Sequence, residues 1–289
     1  MKGIQSCLWF DGQAESAAKF YTSLFPNAKI ARSVRYSKSG AKASGQVEGS
    51  TMTVEFELDG SKFLALNGGP HFKVNPAVSF FVGCSTEAEI NGLWAKLCKS
   101  PRMELGQYPF AVKYGWCEDQ FGVNWQLMLS SRSQKISPAL LFANKKFGKA
   151  EEAIKFYTAQ FPGSKIETIA KDAKTDAVLH STFSLAEQSF VIMEGPLEPE
   201  FDFSPALSFV ILCESQVEID RIWGQLSAVP AAEQCGWLQD KYGVSWQVVH
   251  KDWGKMIGDS DPPTQDRLMA AILRMKKLDL KVLEQVYRQ

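Results

Sequence analysis

Three segments of this 289-residue chain occur twice, in the same order. FYTSLFPNAKI at 20–30 returns as FYTAQFPGSKI at 156–166, NPAVSFFVGC at 75–84 as SPALSFVILC at 204–213, and DQFGVNWQ at 119–126 as DKYGVSWQ at 240–247. Matched order over about a hundred residues marks a duplicated module rather than low complexity. The duplication predicts two domains, residues 1–130 and 136–250, and an extension at 251–289 where the repeat stops. The polar stretch SSRSQK at 130–135 reads as the joint between them.

Within each copy the periodicity alternates between strand and helix. Ile4 to Phe10 and Ile136 to Phe142 are apolar strands. A helix follows in which Ala17, Phe20, Tyr21 and Leu24 form one stripe, limited by Pro26, or Pro162 in the second copy. Copy two carries four more residues before this helix, FANKKFGKAEEA against FDGQAESA. Strands are expected near 29–36, 51–58 and 62–67, with Asp59-Gly60 as a hairpin turn. A second strand-helix unit then starts with Val78 to Cys84, and its stripe Ile90, Leu93, Trp94, Leu97 returns as Ile219, Ile222, Trp223, Leu226. The last strands are Val123 to Leu129 and Val244 to His250. The chain is therefore α+β, four βαβββ units in tandem, with a C-terminal helical tail whose residues Leu268, Ile272 and Met275 need a surface to cover.

Bulk properties narrow the function. A hydrophobic content of 45% with 12% aromatic residues supports a packed core, and 32 basic against 32 acidic residues leave no net field to draw in nucleic acid or an anionic membrane. Six cysteines without CxxC spacing, no leader pattern and no long apolar run predict a reduced, cytoplasmic chain. Cys84 and Cys213 recur at matched strand ends and read as small buried hydrophobes. No GxGxxG or GxxxxGK follows a strand, which argues against a nucleotide cradle and a Rossmann-type methyl-donor site.

Tandem units with FY in the first helix and a terminal D-x-[FY]-G-V-x-W-Q strand resemble the vicinal oxygen chelate superfamily, which includes glyoxalase I, extradiol dioxygenases and bleomycin-resistance proteins. LWFDGQAESAAKFYTSLFPNAKI, CGWLQDKYGVSWQVV and the tail MAAILRMKKLDLKVLEQVY resemble the PhnB-like branch, whose family label is 3-demethylubiquinone-9 3-methyltransferase. The resemblance implies two glyoxalase-like domains. In metal-using relatives it implies His, Gln or Glu ligands on the first and last strands of the units. Those positions fall on Gln5, Ala77 and Gln126, then on Ser137, Ala206 and Gln247. None is a histidine or a carboxylate, so neither a metal site nor any other cofactor is expected. Single-copy relatives pair as dimers, which predicts intrachain pairing of the two copies here and leaves a further homodimer open.

Strand alternation then selects the residues of the concave face. Val123, Trp125, Leu127 and Leu129 should face the helices, leaving Gln126 and its counterpart Gln247 on the hollow side. Gln5 and Trp9 join them on the first strand, with Ser137 at the matching place in copy two, and Glu55 on the third strand. These six are the expected ligand-binding residues; for the two late glutamines, bracing the sheet is an equal alternative. His180, where copy one has Thr53, is the candidate general base, with Glu194 as its catalytic companion. The expected function is metal-free binding of a small aromatic or amphipathic molecule. Two alternatives stand beside it: an enzyme of the superfamily (metal-dependent lyase, isomerase or dioxygenase, or a methyltransferase), and an interaction module whose tail helix docks a partner.

Overall fold

The computed structural model describes residues 1–130, 135–196 and 201–289, so most of the joint expected at 130–135 lies outside the described residues. The first unit is β1 (Gly3–Phe10), α1 (Ala14–Thr22), β2 (Ala28–Arg35), a short helix α2 (Lys38–Ser44), β3 (Thr51–Leu58) and β4 (Ser61–Asn67). The second is β5 (Val78–Cys84), α3 (Glu87–Leu97), β6 (Ser100–Tyr108), β7 (Ala111–Glu118) and β8 (Asn124–Leu129). The third is β9 (Ile136–Phe142), α4 (Ala150–Gln160), β10 (Lys165–Lys171), β11 (Val178–Leu185) and β12 (Gln188–Glu194). The fourth is abbreviated: β13 (Leu207–Cys213), α5 (Gln216–Leu226), the three-residue β14 (Trp237–Gln239) and β15 (Ser245–His250). Three tail helices follow, α6 (Trp253–Gly258), α7 (Pro262–Ile272) and α8 (Leu280–Tyr287).

The sheets do not follow the copies. The first sheet, seven strands in the order β14-β15-β13-β1-β4-β3-β2, joins the first unit to the fourth. The second, eight strands in the order β10-β11-β12-β9-β5-β8-β7-β6, joins the third to the second. Each junction is an antiparallel pair of opening strands, Gly3–Leu8 against Leu207–Leu212 and Val78–Val82 against Ile136–Leu140. Each copy thus gives half of itself to each sheet. Neither copy can close its own hydrogen-bond ladders alone.

The helices and convex sheet faces share one core. Two aromatic chains cross it, Phe56-Phe63-Phe80-Trp125 and Phe183-Phe190-Phe209-Trp246, with successive ring centroids 5.0 to 5.8 Å apart. Each starts in one sheet and ends in the other, which gives the molecule its internal two-fold. Helix starts repeat as well: Thr86 accepts from the Glu89 amide while Glu89 accepts from the Ser85 amide, and Ser215 with Glu218 does the same for α5. Copy two has no hairpin to match β6-β7, because the chain between α5 and β15 is shorter than its counterpart.

The tail takes up that space. The Cys235 and Gly236 amides donate to the Met275 and Lys276 carbonyls at 2.8 and 2.7 Å, so the turn after α7 extends the abbreviated edge. Gly236 adopts φ +87, and a Cβ there would sit 3.2 Å from the Val248 carbonyl and 3.3 Å from Leu278. Ile257, Leu268, Ile272, Leu278 and Leu283 pack onto Cys7, Val34, Val210 and Val249. Asp266 accepts from the Ser39 amide and hydroxyl, tying α2, an element not expected from the sequence, to α7. No helix among the described residues is long and apolar enough to cross a membrane.

Candidate functional site

The tail roofs the concave face of the first sheet, and between roof and face a cavity of about 290 Å³ remains. Val34, Leu64, Leu66, Val210 and Val249 make an apolar floor. Gln5, Thr53, Glu55 and Gln247 rise from the same face, Arg32 and Lys251 stand at its edges, and Trp253, Ile257, Met269 and Ile272 come from the tail. Gln247 and Gln5 face the hollow as strand alternation requires. Gln247 Nε2 donates to Ser208 Oγ at 3.0 Å, bridging β15 to β13. Bracing and cavity lining are therefore one position here. Cys7, beneath it, is fully buried and its thiol is pushed up to about 11.

Glu55 is the one carboxylate lining the cavity among the described residues. Burial pushes its carboxyl upward, and the positive charges of Arg32 and Lys62 pull it partly back. Arg32 is its cross-strand partner, reached after a bulge between Ile30 and Arg32. That bulge hid Arg32 from simple alternation. Trp9, expected in the site, stands behind it: its Nε1 donates to the Gly69 carbonyl at 2.7 Å, and its ring meets Trp237, a cavity-lining residue, edge-on at 6.2 Å. A Cβ at Gly68 would lie 2.1 Å from the Trp9 indole, so only glycine lets the ring seat there.

The corresponding face of the second sheet is filled by its own side chains. Phe81, Tyr114, Ala139 and Val191 are buried there against Trp116, Met128 and Met193. Tyr114 Oη donates to Gln126 Oε1 at 2.6 Å, and Gln126 Nε2 donates to Ser79 Oγ at 2.8 Å, so Gln126 braces β7, β8 and β5. Ser137, opposite Phe81, is 1% exposed and its hydroxyl finds no hydrogen-bond partner among the described residues. The His180 ring lies edge-on to Phe81 at 5.7 Å.

Glu194 is not brought to His180. Val191 and Met193 cluster with Phe81 on the concave face, whereas Ile192 belongs to the core, so Glu194 shares the core face. Both its carboxylate oxygens are used there, one by the Ala150 amide at 2.9 Å and the other by the Val178 amide at 2.7 Å. Asn67 serves α1 in the same way through the Ala14 amide. The expected acid–base pair is thus corrected to a helix-start brace and a separate histidine.

A divalent ion, as in the metal-using relatives, does not find its ligands in these residues. The matching strand positions hold amides, alanines and a serine, Glu55 stands without a second acid or a histidine in the cavity lining, and no group of three His, Cys, Asp or Glu among the described residues could hold a metal.

Paired βαβββ units forming two cupped sheets define a glyoxalase fold. A glyoxalase I variant from Zea mays is similar over 88% of this chain and 95% of its own, at 12% identity and a TM-score of 0.57, a likeness of fold. Residues 2–128 and 134–249 each match the family described as 3-demethylubiquinone-9 3-methyltransferase, and the chain belongs to that family. The PhnB protein from Bacillus cereus is 38% identical, covering 44% of this chain and 98% of its own, at a TM-score of 0.40. No curated protein matches the chain.

Proposed function

We propose that the chain is a metal-free binding protein that holds one small amphipathic molecule in the roofed hollow of the first sheet. The carrying observation is the cavity itself: about 290 Å³, with an apolar floor and a convergent set of Gln5, Glu55, Gln247 and Arg32. That is the composition of a small-molecule site. The methyl transfer in the family description is not part of this reading, because no GxGxxG-type loop links a strand to a helix in this sequence.

A thermal-shift screen of metabolites and metals tests it, since a ligand at a hundred times its dissociation constant adds about 2.7 kcal/mol. The expected result is stabilisation by a small amphiphile that Val210→Trp, which fills the cavity, abolishes. Stoichiometric metal in the purified protein, lost on replacing Gln5 or Glu55, would overturn the metal-free reading.

A further inference from the structure

We propose that the ligand of this cavity is an apolar amino acid or a close amino-carboxylate, its carboxylate held by Arg32 and its ammonium by Glu55. The inference rests on the reading of the roofed hollow as a binding site, and it adds the chemical class of the occupant.

Arg32 and Glu55 are paired across β2 and β3, yet no ion pair within 4.0 Å joins them. The side chains stand next to each other, and each keeps binding capacity. Arg32 Nη1 is buried under α6 and ion-paired with Asp259 at 3.6 Å, which leaves Nε and Nη2, without a hydrogen bond among the described residues, to meet a ligand. Glu55 makes no hydrogen bond among the described residues, although its carboxylate has four acceptor positions. A half-buried cation and a half-buried anion on paired strands, not joined to each other, suit a ligand that carries both an anionic and a cationic group. An α-amino acid has that pair on one carbon.

The helix above the two groups is shaped to leave them room. Gly254 and Gly258, one turn apart on α6, lie directly over them: a Cβ at Gly254 would sit 2.2 Å from Glu55 Oε1, and one at Gly258 would sit 3.0 Å from Arg32 Cδ. The roof therefore meets the charged pair with bare backbone, fixing both side chains from above without offering Glu55 a side-chain donor. Beyond the pair the floor is apolar, Leu64, Leu66, Val210 and Val249, which suits a hydrocarbon side chain. Lys251 and Lys255 on the rim add positive charge that favours the carboxylate end.

Calorimetric titration of the full chain with L-phenylalanine, 3-phenylpropanoate and 2-phenylethylamine tests the assignment. Phenylalanine should bind roughly 10- to 100-fold more tightly than either truncated analogue, the range for one charged hydrogen-bonded contact. Glu55→Gln should weaken phenylalanine and phenylethylamine but leave phenylpropanoate unchanged, and Arg32→Gln should weaken phenylalanine and phenylpropanoate but leave phenylethylamine unchanged. Far-ultraviolet circular dichroism and unfolding of both variants confirm that they are folded. Equal affinity of phenylalanine and a truncated analogue, indifference to both substitutions, or no binding of phenylalanine at millimolar concentration overturns the proposal. A different small molecule whose stabilisation is lost in Val210→Trp would then leave the binding site standing with another ligand class, whereas no such molecule would remove the site as well.

Discussion

Asp119 and Asp240 account for the most recognisable motif of the chain through the hydrogen bonds they accept. Asp119 Oδ1 accepts from the Phe121 and Val123 amides, and Oδ2 accepts from Tyr21 Oη and Trp125 Nε1, at 2.7 to 3.0 Å. Asp240 repeats all four bonds with Tyr242, Val244, Tyr157 and Trp246. Each aspartate closes a turn whose glycine needs a positive φ, +83 at Gly122 and +88 at Gly243, and pins a helix to a strand. Burial pushes both carboxyls upward while these donors pull them down. Asp119→Ala strands the tyrosine hydroxyl and the indole N–H in the core, so chemical unfolding should show a loss of about 2–5 kcal/mol. Glu55 is the opposite kind of acid. Its folded-state pKa is raised, so its contribution is full below the ordinary carboxylate range and lost as pH rises through the folded value. Glu55→Gln should therefore raise the melting temperature of the free protein at pH 7, and the gain should vanish below about pH 4. Cys84 and Cys213 are inert by the same physics: burial pushes both thiols to about 12. A neutral-pH thiol titration of the native protein should leave both unlabelled and react first with the partly buried Cys98 and Cys235.

At the scale of elements, strand alternation carried far. It placed Gln126 and Gln247 on the concave faces and Trp125 and Trp246 in the core, because a period of two leaves no choice when one face is packed by helices. It failed where a strand is irregular. Arg32 follows a bulge, whereas Glu194 obeys the alternation, on the core face with Ile192 where a helix start needs its oxygens. The helical pattern of the tail was legible, but not its destination, since a helix stripe reveals that a surface is needed and not which one. Its importance can be measured. Leu268 is fully buried under the roof, and Leu268→Ala should cost about 2–5 kcal/mol in urea unfolding. Loss of ligand binding together with that destabilisation is the expected signature of a roof. A Leu268→Ala protein with unchanged stability would mean that α7 does not pack as described.

For the whole molecule, duplication is a device for building two sheets from four units, one of which is cut short so that the tail can take its place. The cross-copy pairings β1-β13 and β5-β9 could not be read from local pattern, because an opening strand looks the same whichever neighbour it meets. They predict that residues 1–130 expressed alone do not form a stable monomer: light scattering should show a self-paired dimer or aggregate, and adding the second copy should restore one compact species. The two-fold scaffold ends in unequal hollows, one filled by Phe81, Tyr114 and Trp116, the other roofed around Arg32 and Glu55. The central claim is that the roofed hollow is where a ligand sits. Hydrogen–deuterium exchange with and without the stabilising ligand found in the screen tests this most directly. Protection should fall on β1, β3, β15 and α6–α7 and leave β5 and β8 unchanged. Protection confined to β5 and β8, or none at the roofed sheet, would contradict it.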